Sequence, residues 1–399
     1  MTWQQLQLGD VVRLKRGHDL PTSERLPGNV PIVSSSGVTG FHNVAKVAGP
    51  GVVTGRYGTL GEVHYIEEDY WPLNTALYVE DFKGSHPRFV AYLLETLDLG
   101  NQNAAGAVPG VNRNALHQIR VTIPALDAQR RIARVLEAYD DLIGTNQRRV
   151  ALLEDAARRM YREWFVSLRF PGHELVPLKD ELPEGWRRMP LGELCDQTPG
   201  ASVQTGPFGS QLHQSDYKPT GVPVVMPQDI VADRIRHDRI AHVDESMASR
   251  LSRHALRALD IVFPRRGDIS KRALVEQHQA GFLCGTGCLK ISLPLKPLHP
   301  LVLYFQLAEP EMVKWIEGQA VGATMLNLSA SIMRTVPCLV PTYSVQEQFV
   351  DTVGSMRAQI DTLGAQVESL SKARDLLLPR LMAGKLGVSS IRLPEEATT

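Results

Sequence analysis

The two halves of this chain carry the same landmarks in the same order. Trp3 is followed five residues later by Leu8-Gly9-Asp10-Val11, and Trp186 is followed five later by Leu191-Gly192-Glu193-Leu194. Val30-Pro31-Ile32-Val33 is matched by Val222-Pro223-Val224-Val225. The run Val52-Val53-Thr54-Gly55-Arg56-Tyr57-Gly58 is matched by Ile261-Val262-Phe263-Pro264-Arg265-Arg266-Gly267, and His86-Pro87 by His299-Pro300. Gly106-Ala107 then pairs with Gly322-Ala323, Ile123-Pro124 with Val340-Pro341, and Gln129 with Gln346. Any one match this short arises by chance; their common order does not, and a long internal repeat dictates the architecture before any single element is considered. The offset grows from 183 (Trp3 to Trp186) to 217 (Gln129 to Gln346), so the second copy carries insertions in its first part.

Each copy divides where its composition changes. Residues 1–124, and 169–341 with a linker at their start, are rich in Gly, Pro and short β-type runs such as Val30–Val33, Ala76–Val79 and Cys288–Leu293, and read as two mixed α/β domains. Residues 125–168 and 342–386 are built from helix formers behind Pro124 and Pro341, and each reads as one long helix, with residues 387–399 left as a tail. A heptad seam runs along both helices. In the first it comprises Gln129, Ile132, Leu136, Tyr139, Ile143, Asn146, Val150, Leu153, Ala157, Met160 and Trp164. In the second it comprises Gln346, Phe349, Val353, Met356, Ile360, Leu363, Val367, Leu370, Arg374, Leu377 and Leu381. A seam of that length predicts two helices paired as an antiparallel coiled coil, with the few polar positions fixing register. The competing expectation is that each helix lies flat on its own domain. The resulting fold class is α+β, with two repeated domains joined by two long helices and related by a pseudo-two-fold repeat. A paired reader of that kind suits a ligand with two half-sites, of which duplex DNA is the common example.

Reactive constellations are missing from the sequence. There is no phosphate-binding Gly-x-x-x-x-Gly-Lys-Ser/Thr loop, no His-Glu-x-x-His pair and no Gly-x-Ser-x-Gly elbow. The Asn/Asp-Pro-Pro-Tyr/Phe run that amino-methyltransferases share is also missing. Cys284 and Cys288 lack the second ligand pair a zinc site needs, so neither a metal nor a catalytic residue is expected. Four scattered cysteines, no apolar stretch approaching about 20 residues and no basic or apolar leader predict a soluble protein of the reducing cytoplasm, away from membranes. Lys plus Arg and Asp plus Glu both total 43, so no net field announces a polyanion. Local excess exists nevertheless, in Arg234–Arg272 of the second copy and at Arg13, Lys15, Arg16, Arg56, Arg113 and Arg120 of the first.

Several runs resemble the specificity subunit of type I restriction and modification systems over nearly the whole length. They are Thr205-Gly206-Pro207-Phe208-Gly209-Ser210-Gln211-Leu212, Gly221-Val222-Pro223-Val224-Val225, Gly55-Arg56-Tyr57-Gly58 and Asn74-Thr75-Ala76-Leu77. The helix ends Tyr161-Arg162-Glu163-Trp164-Phe165-Val166 and Leu378-Pro379-Arg380-Leu381-Met382-Ala383-Gly384-Lys385-Leu386 complete the set. The resemblance implies a non-catalytic adaptor whose two target recognition domains each read one half of a split sequence in double-stranded DNA, with the helices setting the gap. It also implies partners: two modification subunits that carry S-adenosylmethionine and methylate adenine, and restriction subunits that use ATP and Mg to translocate and cleave. No cofactor is expected in this chain. On that basis the expected DNA-binding residues are Arg56, Tyr57, Gln204, Gln228, Arg265, Arg266, Lys271 and Arg272. The first domain departs from the pattern, with Val33-Ser34-Ser35-Ser36-Gly37-Val38-Thr39-Gly40 and no Gly-Pro-Phe-Gly-Ser run, so the two halves are expected to read different DNA. Two rival readings are a specificity partner of a combined restriction and methylation enzyme outside type I, and a coiled-coil scaffold that reads no DNA.

Overall fold

In a computed structural model, residues 3–97, 99, 110–209, 211–237, 239–320 and 327–387 are described. The matched pair Gly106-Ala107 and Gly322-Ala323, Ser210 and most of the tail lie outside them. The chain forms two compact units. The first comprises Met1–Val150 with Asp361–Thr399, and the second Ala151–Ile360.

The units repeat one framework, and the repeat holds at the level of single hydrogen bonds. In the first, strand Trp3–Gln7 pairs antiparallel with Arg120–Pro124, Gln4 opposite Ile123. In the second, Arg187–Pro190 pairs with Pro337–Val340, Arg187 opposite Val340, which is the same register carried by the 183 and 217 offsets. The next bonds also correspond: Leu8 N–H donates to Ile119 O and Leu191 N–H to Val336 O, both at 2.8 Å. Gly9 and Gly192 follow, each with its Cα against the side chain of the short helix packed on it. A Cβ there would come within 3.0 Å of His117 Cβ and Arg334 Cβ respectively, which explains the glycine at both places.

Each unit then builds a four-stranded antiparallel sheet and a smaller one. The first has Arg13–Arg16, Ala76–Asp81, Gly51–Gly55 and Val63–Ile66 in that order, and the second Ser202–Thr205, Cys288–Ser292, Ile261–Pro264 and Ala273–Leu274. In the smaller sheets Val30–Ser34 runs parallel to Trp71–Pro72, and Val222–Val225 parallel to Leu283–Cys284. The insertions expected in the second copy are the hairpin Ile230–Val231/Arg234–Ile235 and the helix Glu245–Arg250.

The first long helix runs Leu126–Tyr161 and continues as a π-helical turn over Arg162–Val166. The second runs Tyr343–Met382 and stops short of Leu386. Gly384, at φ 67°, ends it, with its own N–H bonded to Leu381 O (3.1 Å) and Lys385 N–H to Arg380 O (2.9 Å). That double bond is the closure a left-handed residue after a helix provides. Within each unit the two helices run antiparallel. Asn146 donates to Gln366 at 3.1 Å and Arg374 to Asp140 at 3.1 Å in the first unit, while Tyr161 packs on Phe349 in the second. The apolar seam residues are all buried or half-buried, whereas Leu152 and Leu376, off the seam, face solvent.

Where the helices meet the domains, burial is broader than a two-helix seam. Ala128, Ala133 and Val135 are buried beside Ile132 and Leu136, in a core with Leu14, Leu77, Phe89 and Leu381. In the second unit Val345, Phe349 and Val353 join Phe263, Leu289, Leu303 and Met333. Helix pairing and helix docking on a domain are therefore both present, and the two expectations were not exclusive. The aromatic run that closes the first helix is a packing device: Phe349 is ringed by Trp164, Phe165 and Phe305 at 5.9, 5.0 and 5.7 Å, as well as by Tyr161.

Two polar seam residues have a different job from register. Gln129, 4% exposed, accepts from His86 N–H (2.9 Å) and donates to Pro124 O (3.0 Å). Gln346, fully buried, accepts from His299 N–H (2.8 Å) and donates to Pro341 O (2.8 Å) and Pro297 O (2.9 Å). Each clamps the start of a long helix to the start of a domain helix, Pro87–Thr96 or Pro300–Ala308, by satisfying backbone groups that would otherwise be buried without partners.

Candidate nucleic-acid interface

The turn after the central strand of each four-stranded sheet projects two side chains from matching backbone. Arg56 N–H and Tyr57 N–H both donate to Thr75 O (2.9 and 3.1 Å), and Arg56 O accepts from Val111 N–H (2.9 Å). In the second unit Arg265 N–H donates to Gly287 O (2.7 Å) and its O accepts from Leu328 N–H (2.8 Å). Arg56 therefore corresponds to Arg265, and Tyr57 to Arg266. Gly55 must lack a side chain because a Cβ would fall 1.8 Å from Thr59 O.

In the first unit this turn forms one wall of an open groove that also holds Arg16, Asn112 and Arg113. The Arg56 guanidinium lies 4.5 Å over the Tyr57 ring and donates from Nη2 to its hydroxyl at 3.2 Å. The ring in turn lies on the backbone of Gly110, where a Cβ would meet it at 2.4 Å. Three arginines line the groove and no carboxylate does, although Asp19 stands 3.6 Å from Arg16 at its edge. Arg16, Tyr57 and Arg113 are exposed. Asn112 caps the helix Arg113–His117 by accepting from Asn114 N–H (2.9 Å), which fixes where Arg113 leaves the backbone. Such a surface offers planar, forked donors and a π-face, the side-chain chemistry that meets phosphates and base edges. Arg13 and Lys15 are outside it, both paired with Glu80 at 2.8 and 2.6 Å.

The second unit puts different side chains on the same frame. Arg265 donates to Leu328 O at 3.3 Å with its guanidinium 5.9 Å from the Phe208 ring, and Phe208 is 56% exposed. Phe208 is held out by a loop whose Gly206 touches Gly285 so closely that a Cβ would sit 1.8 Å from its carbonyl oxygen. Arg266 is exposed beside Asn327, Gln228 is exposed on the turn Pro227–Asp229, and Lys271 is half-exposed and paired with Asp268 at 3.5 Å. Gln204 is half-buried and approaches His254 Nδ1 at 3.4 Å.

One expected DNA-binding residue is misplaced. Arg272 is 7% exposed, paired with Asp233 at 3.5 Å and bonded to Ser270 O at 3.1 Å, so it cannot reach a base or backbone outside the unit. Much of the basic run Arg234–Arg272 is consumed in the same way: Arg234 pairs with Glu154, Arg250 donates to Gln211 O and Arg253 to His254. A linear count of arginines does not distinguish these from free ones. Conversely, Arg16, Arg56 and Arg113 lie in three distant stretches and only the fold brings them into one groove.

Cys284 and Cys288 sit on buried strands, where burial pushes the Cys284 thiol up to about 12 and Cys288 well above its ordinary value. Among the described residues no group of three or more His, Cys, Asp or Glu could hold a metal ion, and no helix is long and apolar enough to cross a membrane.

These features define a class: an internally duplicated protein in which two copies of one α+β domain are joined by paired long helices. Its relatives are specific. The family described as type I restriction modification DNA specificity domain matches residues 1–155. The MjaIX specificity subunit of Methanocaldococcus jannaschii is 22% identical over 311 residues, spanning 76% of this chain and 70% of that protein. The MjaVIII specificity subunit of the same organism is 20% identical over 318 residues, with the same shares. The crystal structure of a type I restriction-modification S subunit from M. genitalium superposes with a TM-score of 0.66 over 95% of this chain and 96% of that one, at 14% identity, which establishes the shared fold. The chain is a relative of the type I restriction-modification specificity subunits.

Proposed function

We propose that this chain reads a bipartite target in double-stranded DNA and carries no catalytic residue itself. The observation that supports this reading best is the pair of corresponding turns, Arg56-Tyr57 and Arg265-Arg266, held by matching backbone bonds but surrounded by different side chains. Common framework with divergent tips is what two readers of two different half-sites need. In this reading, Arg16 and Arg113 take phosphates and position the complex, while Arg56, Tyr57, Arg265, Arg266 and Gln228 reach base edges. The paired helices set the gap between half-sites. Two modification subunits supply S-adenosylmethionine and methylate adenine, and restriction subunits supply ATP- and Mg-dependent translocation and cleavage. The setting is the cytoplasm.

The test is co-expression with the partner methyltransferase subunit, followed by mapping of methylated adenine in DNA exposed to the complex. The expected result is a split motif with one fixed gap. A stable complex that leaves DNA unmethylated and does not bind it would overturn the reading.

A further inference from the structure

The second unit contains a pocket at which its long helices, the helix Pro300–Ala308 and the inserted hairpin converge. Four guanidiniums line it against two carboxylates. Glu154 serves both Arg158 (3.4 Å) and Arg234 (3.5 Å), and Asp233 serves Arg272 (3.5 Å). Arg357 has no carboxylate partner among the described residues and lies 5.5 Å over the Tyr304 ring, to which Arg272 also comes within 5.6 Å. Arg272 is more than nine-tenths buried, and its Nε–H has no hydrogen-bond partner. Two guanidiniums on one ring, one lacking a counter-charge and the other a bonding partner, form an electrostatically unfinished site.

The first unit shows what a finished version looks like. Its equivalent pocket is lined by Ala91, Tyr92, Glu95 and Asp140, where the second has Tyr304, Phe305, Ala308 and Arg357. Asp140 there accepts from the Tyr92 hydroxyl (2.6 Å) and from Arg374 (3.1 Å) and stands 3.6 Å from Arg88. The position that holds a carboxylate in one unit thus holds an arginine in the other, and the surrounding cations of the second unit are left in surplus.

We infer that the second-unit pocket binds a phosphoryl oxyanion between Arg272, Arg357 and Arg158. Tetrahedral oxygens can take N–H donors from several guanidiniums at once, including the free Nε–H of Arg272, and supply the negative charge the pocket lacks. The anion could be a backbone phosphate of bound DNA or a free phosphate; both present the same chemistry. The binding of phosphate itself does not depend on the DNA-reading proposal.

The experiment is calorimetric titration of the full chain with inorganic phosphate at constant ionic strength. Wild type is expected to show one saturable site, and Arg357→Gln a Kd raised at least about tenfold, as loss of a charge-assisted bond predicts. Arg159→Gln, an exposed arginine outside the pocket, is expected to bind as wild type does, and circular dichroism checks that both variants are folded. Repeating the titration with saturating duplex DNA assigns the source: loss of the phosphate heat identifies a DNA phosphate, and unchanged heat a free anion. Absence of saturable heat in wild type, or the same Kd in folded Arg357→Gln, overturns the inference, and either result leaves the DNA-reading proposal to its own methylation test.

Discussion

Replacing Gln346 with methionine keeps the shape of the side chain and removes all three of its hydrogen bonds. His299 N–H loses its acceptor, and Pro341 O and Pro297 O lose a donor, at a position with no solvent exposure. Each buried group left without a partner costs about 1 to 3 kcal/mol. Taking the low end for all three gives about 3 kcal/mol. Gln129→Met breaks two such bonds, so its cost is nearer about 2 kcal/mol. In urea, with an m-value of about 3 kcal/mol per molar for a unit of this size, the Gln346→Met midpoint falls by about 1 M and that of Gln129→Met by less. Trp164, Trp186 and Trp315 report the second unit and Trp3 and Trp71 the first. The reasoning fails if Gln346→Met moves the midpoint of the second unit by less than about 0.3 M, or if the two variants rank in the opposite order.

The other expectations concern charge, pH and length. Changing Arg16, Arg56 and Arg113 together to glutamine lowers the salt slope of DNA binding by about 2 to 3 if all three meet phosphates; anisotropy titrations between low and moderate salt would expose an unchanged slope. His299 is held neutral by burial, below its ordinary value, and its Nδ1 accepts from Leu301 N–H at 3.1 Å. The unfolded chain therefore takes up a proton before the folded one does, and stability falls as pH drops below about 6.5. His299→Asn, which retains a capping acceptor, flattens that dependence in urea midpoints compared at neutral and mildly acidic pH. Inserting seven residues into each long helix, after Gly144 and after Gly364, lengthens the pair by about 10 Å. The methylated motif then gains a gap of about 3 base pairs, and an unchanged gap counts against the helices as the ruler.

Sequence reading reached the repeat, the two long helices and their seam because each rests on many residues whose spacing is set by helix geometry or by a shared ancestor fold. It did not reach the roles of Gln129 and Gln346, because a polar residue in a heptad looks the same whether it pairs across the helices or clamps a backbone amide 43 or 47 residues away. Arg272 and Arg266 are indistinguishable in a list of basic residues. One is buried over Tyr304 and the other exposed beside Asn327, and that difference is made by which strand end each occupies. The groove of Arg16, Arg56 and Arg113 was nameable residue by residue, but its assembly depends on strand order and on the Asn112 cap.

The core of the first unit contains Leu378, Leu381 and Met382, which are made near the end of translation, together with Leu8, Leu14 and Phe89, which are made at its start. At about 5 to 20 residues per second, the ribosome needs about 10 to 45 s to travel from the end of the first segment of this unit to its last helix. Throughout that interval the apolar face of Ile132 and Leu136 lacks its final cover, while the second unit is synthesised without interruption. The order of synthesis therefore makes the first domain the last to be completed, and the first long helix the segment most dependent on a chaperone while the rest of the chain emerges.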